Sequence, residues 1–192
     1  MDYFHSIQDF RPQKGDLLIS EPYLPDPNFE RTVVLICEHD ENGTFGYVLN
    51  QESQVVFSDL VEDIYDFDEK VFVGGPVQQD TLHFVHRSND SEIGGQEVVK
   101  NVNWGGNYES LLDIIRTQTI DPKDFRFFVG YSGWGASQLE DELEAKSWFV
   151  YKNTTEKLIF DTEPEILWQT VLESLGGKFR MMSKYPTDPR MN

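Results

Sequence analysis

Cys37, Glu38 and His39 stand together where an apolar run ends, and Ser132 sits inside a glycine-rich segment. These are the residues whose types could carry covalent chemistry. A cysteine or serine becomes a nucleophile when a base such as histidine lies within hydrogen-bond reach. On a strand, alternate side chains share a face, which puts Cys37 and His39 on one side and Glu38 on the other. Cys37 and His39 also supply two ligands to a metal, but a structural zinc needs four and a catalytic zinc usually three. His83 and His86 are spaced to face opposite sides of a strand, and His5 is remote in sequence. No metal and no cofactor are expected. Cys37 follows Val33, Val34, Leu35 and Ile36, and a thiol in such a strand is expected to be buried and unreactive.

The segment from Gly130 to Gln138 reads GYSGWGASQ. It is expected where a strand ends and a helix begins. Free backbone N–H groups at such a junction can hold an anion, and Trp134 could stack on a ring. It is not a nucleophile elbow, because Trp134 stands where G-x-S-x-G needs its last glycine. It is not a P-loop either, since no Gly-Lys-Ser/Thr follows. The plainer alternative is a tight turn with Trp134 as a plug. A second sharp turn, Val73–Val77 (VGGPV), holds Gly74 and Gly75, with Pro76 restraining Gly75 to an extended conformation. The candidate ligand-binding residues are therefore Gly74, Gly75, Gly130, Ser132, Gly133, Trp134 and Gly135. The candidate reactive residues are Cys37 and His39. The acidic stretch from Asp59 to Glu69 lacks the ligand spacing of an EF-hand and reads as a solvated face.

These residues must be positioned by strands and a few helices. Strands are expected at 16–20, 32–38, 45–49, 71–73, 82–86, 98–99 and 125–131. Asn42-Gly43 marks a hairpin between the second and third of these. Thr32–Glu38 is near-continuously apolar and is expected to be buried on both faces. Residues 148–152 and 157–160 are expected to form a second hairpin. Helices are expected at 58–64 with Ser58 as N-cap, at 108–118 with Leu111, Leu112, Ile114 and Ile115 at helical spacing, at 136–146, and at 164–175 before Gly176. Pro22, Pro25 and Pro27 force an extended connection. Pattern alone allows mixed α/β or α+β.

The chain has 192 residues, 39% of them hydrophobic, including 14 Phe, 8 Tyr and 4 Trp. That suits one domain with a real core. Sixteen Lys and Arg oppose 34 Asp and Glu, a net charge of −18. Nucleic-acid affinity comes largely from cations that displace counterions, so direct DNA or RNA binding is not expected. A polybasic membrane contact is disfavoured for the same reason. No apolar run approaches the ~20 residues of a membrane span. The N-terminus lacks the pattern of a secretory signal, and the lone cysteine forbids an internal disulfide. A cytoplasmic protein, monomeric by default, is the expectation.

The order and spacing of GDLLISEP (15–22), DPNFERTVVLICEHDENGTFGYVLNQ (26–51), VFVGGPV (71–77), LHFVH (82–86) and GYSGWGASQLEDEL (130–143) closely resemble the bacterial YqgE/AlgH family. The resemblance spans roughly Gly15 to Gly176 and implies a single domain, expected over residues 15–185; the residues themselves read as a leader at 1–14 and a polar tail at 186–192. It implies a bent mixed β-sheet like an incomplete barrel, flanked by helices. Gln51 and Ser132 stand where the family more often has Arg and Ala, and Ser137 replaces a frequent Gly. Family members are often labelled transcriptional regulators. With this charge the resemblance points to a binding or regulatory protein acting through an unknown small molecule or protein. An enzyme using Cys37, His39 or Ser132 is the alternative. In an electrophoretic shift assay at physiological salt, low-micromolar protein should leave non-specific DNA unshifted; a shift that disappears as salt rises would reveal a clustered basic face.

Overall fold

Val33 to Cys37 is an unbroken apolar run, and every residue in it is inaccessible to solvent. Such a strand needs cover on both faces, and the computed structural model, which describes residues 11–188, supplies it. Five strands form one wing: β1 (Leu17–Ser20), β2 (Val33–Asp40), β3 (Gly43–Val48), β9 (Phe125–Gly135) and β10 (Trp148–Tyr151). The other wing holds β4 (Glu52–Val56), β5 (Lys70–Val73), β6 (Val77–His86), β7 (Gln96–Val99) and β8 (Val102–Trp104). Together they make a 10-stranded sheet in the order β10-β1-β2-β3-β9-β6-β8-β7, with β4 and β5 branching from β9. Pairing is antiparallel except for β5 beside β9. The fold is thus mixed, with an open sheet that does not close into a barrel.

β9 joins the wings because it changes partners along its length. Phe127–Val129 lies between β5 and β6, while Ser132–Gly135 pairs with β3. Helices cover what remains apolar: α1 (Phe57–Leu60), α2 (Tyr108–Arg116), α3 (Gln138–Glu144), α4 (Glu156–Phe160), α5 (Pro164–Ser174) and α6 (Phe179–Met182). Leu167, Trp168, Val171 and Leu172 of α5 pack against Leu17, Ile19, Val33 and Leu35. Leu139 of α3 packs on the opposite face, against Leu18, Val34 and Ile36. Leu111, Leu112 and Ile115 of α2 close the third cluster over Phe84, Phe125 and Phe127.

Several expectations change. Residues 157–160 are not a strand: Thr155 caps a short helix, its hydroxyl accepting from Leu158 N at 3.3 Å, and Ile159 is buried in the core. β10 pairs instead with β1, far away in sequence. The expected helix 58–64 shrinks to one turn. Its start is fastened by Asp59, whose carboxylate accepts from Val56 N at 3.1 Å, and Ser58 turns to Asp68. The short strand expected at 98–99 is one arm of a hairpin, β7–β8, within the polar, glycine-bearing stretch 89–106. β4 and α6 were not foreseen. Phe4, Ile7 and Phe10 of the leader, whose spacing suits a docked helical turn, lie outside the described residues.

One crowded contact fixes the register of β2 on β3. Pairing runs Ile36 to Gly46 and then Glu38 to Phe45, so Cys37 is an extra residue, a β-bulge. Opposite it, a Cβ on Gly46 would meet the Leu35 carbonyl oxygen at 2.0 Å. Gly46→Ala should therefore cost about 2–3 kcal/mol in denaturant unfolding, the range of core overpacking. A loss within experimental error would mean the strands separate freely there.

Candidate functional site

The structure brings the two glycine segments together, but backbone fills the space between them. Gly74 N donates to Val129 O at 2.9 Å. Its carbonyl accepts from Val48 N at 2.9 Å and from the Ser132 hydroxyl at 3.0 Å. Gly75 has φ 155°, and a Cβ on it would lie 2.3 Å from the carbonyl carbon of Tyr131. Gly130 lies where the β6–β9 register slips between Val77 and Leu82. Gly133, Trp134 and Gly135 are not a turn. They continue β9 along β3, and α3 starts only at Gln138, whose side-chain oxygen accepts from Gly135 N at 2.9 Å. The glycines let strands cross at contact distance.

The candidate reactive residues do not converge. A bulge turns consecutive side chains to one side and resets the alternation after it. Cys37 therefore lies in the α5-side core beside Leu35 and Tyr47. His39 comes out on the α3 side, with Nδ1 2.7 Å from Thr44 Oγ1 and Nε2 3.8 Å from Glu140 of α3. The expectation that Cys37 and His39 share a face is thereby corrected. Cys37 is fully buried, and burial, with Glu38 adding to it, pushes the thiol well above its ordinary value. Ser132 is also buried, its hydroxyl spent on Gly74. Among the described residues, no group of three or more His, Cys, Asp and Glu is placed to hold a metal ion.

Trp134 is 5% exposed and belongs to a closed aromatic node. One oxygen of Glu142 accepts from both Trp134 Nε1, at 2.9 Å, and Trp148 Nε1, at 2.7 Å. Gln138 donates to the other oxygen at 3.0 Å. The Phe29 ring stacks on Trp134 and meets Trp148 edge-on. Trp134 thus plugs the sheet beneath α3.

The opposite face carries the aromatic surface that sequence reading missed. Phe45 meets Trp104 edge-on at 4.8 Å, Tyr47 at 5.7 Å and Tyr131 at 6.0 Å. His83 contacts Tyr47 and Tyr131 at 5.4 and 5.9 Å. Tyr47 is buried and stacked on Phe128, whereas Phe45, His83, Trp104 and Tyr131 remain partly open to solvent. Burial lowers the His83 imidazole, which favours a neutral ring, and Thr81 Oγ1 lies 2.7 Å from its Nε2. The Trp104 indole N–H is buried and has no partner among the described residues. Because of the bulge, Glu38 pairs across from Phe45 and is exposed. Partly exposed rings beside a carboxylate can hold a cation or an electron-poor planar group.

Two further buried titratable groups went unforeseen. Arg126 reaches back to donate to Leu49 O at 2.8 Å, with its guanidinium 4.7 Å over Phe72. Burial brings it down to about 10, so it stays charged and ties β9 to the end of β3. His86 is stacked on Phe125, and burial pushes its imidazole down. Gly94 and Gly105 lie close enough to oppose that shift, but neither ring nitrogen has an aligned partner among the described residues.

The family model described as AlgH-like matches residues 17–180. A UPF0301 protein of Cytophaga hutchinsonii is 44% identical, over 93% of this chain and 98% of its own. One from Chlorobium limicola is 40% identical, over 93% and 95%. The solution structure of the AlgH protein from Pseudomonas aeruginosa superposes with a TM-score of 0.70 at 27% identity, covering 90% of this chain and 94% of that one. A crystal structure from Corynebacterium diphtheriae, with a TM-score of 0.72 at 21% identity over 91% and 93%, shares the fold. For the node itself, Trp134→Ala should cost about 3–5 kcal/mol with an unchanged denaturant slope, as for a buried indole; a loss below about 1.5 kcal/mol would place Trp134 on a surface instead.

Proposed function

This chain belongs to the AlgH-like family, and within it we propose a cytoplasmic, non-enzymatic binding protein that holds its ligand on the aromatic face around Phe45, Trp104 and Tyr131. The observation that supports this is the contrast between two sets of residues. Cys37, His39 and Ser132 are buried, spent or on opposite faces, whereas the aromatic rings meet one another and stay partly open. Gly74 leaves room for the Tyr47 ring, which a Cβ there would meet at 3.0 Å.

Charge selects the ligand. Glu38 stands beside the rings, and the chain carries −18. The fitting ligand is a cationic or electron-poor ring compound, or a basic segment of a protein partner. A regulatory role would then run through that partner and not through DNA.

A panel of amines and basic peptides, screened by thermal shift at low ionic strength, tests this, because a ligand of the folded state raises its stability. Hits should weaken about fivefold in Tyr131→Ala and in Glu38→Gln, the equivalent of about 1 kcal/mol per cation–π or ionic contact. Hits that bind both variants as well as the unchanged chain would remove the aromatic face as the site.

A further inference from the structure

β10 is an edge strand, and an exposed sheet edge is ordinarily covered or guarded. Here a cavity of about 290 Å³ runs along it between α3 and α6. Its apolar wall includes Leu143, Trp148, Phe149 and Phe179, and Lys146 and Lys178 border it. A second hollow of about 430 Å³ shares Lys146, Phe149 and Lys178 and continues towards Met182. Both lysines therefore stand where the two spaces meet.

Those lysines, like Lys14, Lys100, Lys123 and Lys157, join no ion pair among the described residues. Cations are scarce, and most of those with defined contacts are committed. Arg87 bridges Asp124 and Asp161, Lys152 meets Asp16, Lys70 meets Glu52, and Arg31 is spent on the Tyr185 and Pro186 carbonyls. Lys146 and Lys178 are exposed, and among the described residues neither takes part in an ion pair. Lys178 Nζ lies 5.2 Å over the Phe179 ring, at the apolar wall. Lys146 occupies the position after α3 that favours glycine. Its φ is 62°, its N–H donates to Leu143 O, and Ser147 N donates to Glu142 O. A lysine is held in the left-handed region at the mouth of the groove, where glycine would be relaxed.

We infer that this groove binds a medium-chain carboxylate, with its alkyl tail along Trp148, Phe149 and Phe179 and its carboxylate between the Lys146 and Lys178 ammonium groups. The charge complementarity is local. An apolar trough in a chain of net charge −18 has two cations, in no ion pair among the described residues, as the polar groups at its mouth, while the one carboxylate, Glu21, lines the adjoining hollow. The site is separate from the aromatic face and opposite to it in polarity.

Decanoate, titrated into the full chain below its micelle concentration and followed by Trp fluorescence and calorimetry, tests the inference. Saturable one-to-one binding that weakens with salt is expected. Decanol should bind about tenfold more weakly, for want of a charge-assisted contact. Lys178→Gln should weaken decanoate by about the same factor. Lys146→Gly should weaken it too while raising or preserving the melting temperature, so that lost binding is not lost folding. Equal affinity for decanol, unsaturable uptake, or undiminished binding in both lysine variants would overturn the proposal. So would sedimentation showing that a second copy of the chain occupies the β10 edge and excludes decanoate.

Discussion

The closeness of residues 73–75 to residues 129–132 is the constraint on which this sheet depends. β9 must accept β5 on one side, β6 on the other, and then β3. Such a strand can change partners only if the incoming backbones approach within contact distance. Gly74, Gly75 and Gly130 permit that approach, and the Ser132 hydroxyl and Arg126 guanidinium complete it by capturing the carbonyls of Gly74 and Leu49. Everything apolar is then arranged around the crossing. α5 and the aromatic surface lie on one face, and α3 with the Trp134–Glu142–Trp148 node lies on the other.

Charge is distributed to match. Interior or half-buried cations are structural: Arg126 fastens one strand end, Arg87 joins Asp124 to Asp161, and Arg31 holds the C-terminal segment while stacking on Trp168. The carboxylates are left largely to the surface. A surface of one sign repels polyanions and makes any local departure from it conspicuous.

Much of the fold was legible from local pattern. The Asn42-Gly43 hairpin, the doubly buried β2, the strand at 71–73 and the helices led by Leu111 and Leu167 are signalled by turn chemistry and periodicity, which need no knowledge of neighbours. The glycine segments were rightly marked as special, but glycine signals close approach without saying what approaches. The bulge at Cys37 was not legible, because it arises from pairing with Gly46, and it reversed the facing of His39. Residues 157–160 misled because Leu158, Ile159 and Phe160 suit a strand as well as a helix, and the Thr155 cap decides between them. The aromatic face could not be read at all. Phe45, His83, Trp104 and Tyr131 come from four strands and meet only through the long-range register of the sheet.

The pairing of β1 with β10 sets an order for synthesis. Leu17 finds its partner in Tyr151, and the Trp168 indole closes on the carbonyl of Ser20. A nascent chain leaves the ribosome at about 5–20 residues per second, so β1 and β2 wait several seconds with an apolar edge uncovered. Completion is late, since long-range pairing forms only after its loop-closure entropy is met. A product truncated before Trp148 would carry the exposed edge of β1 permanently.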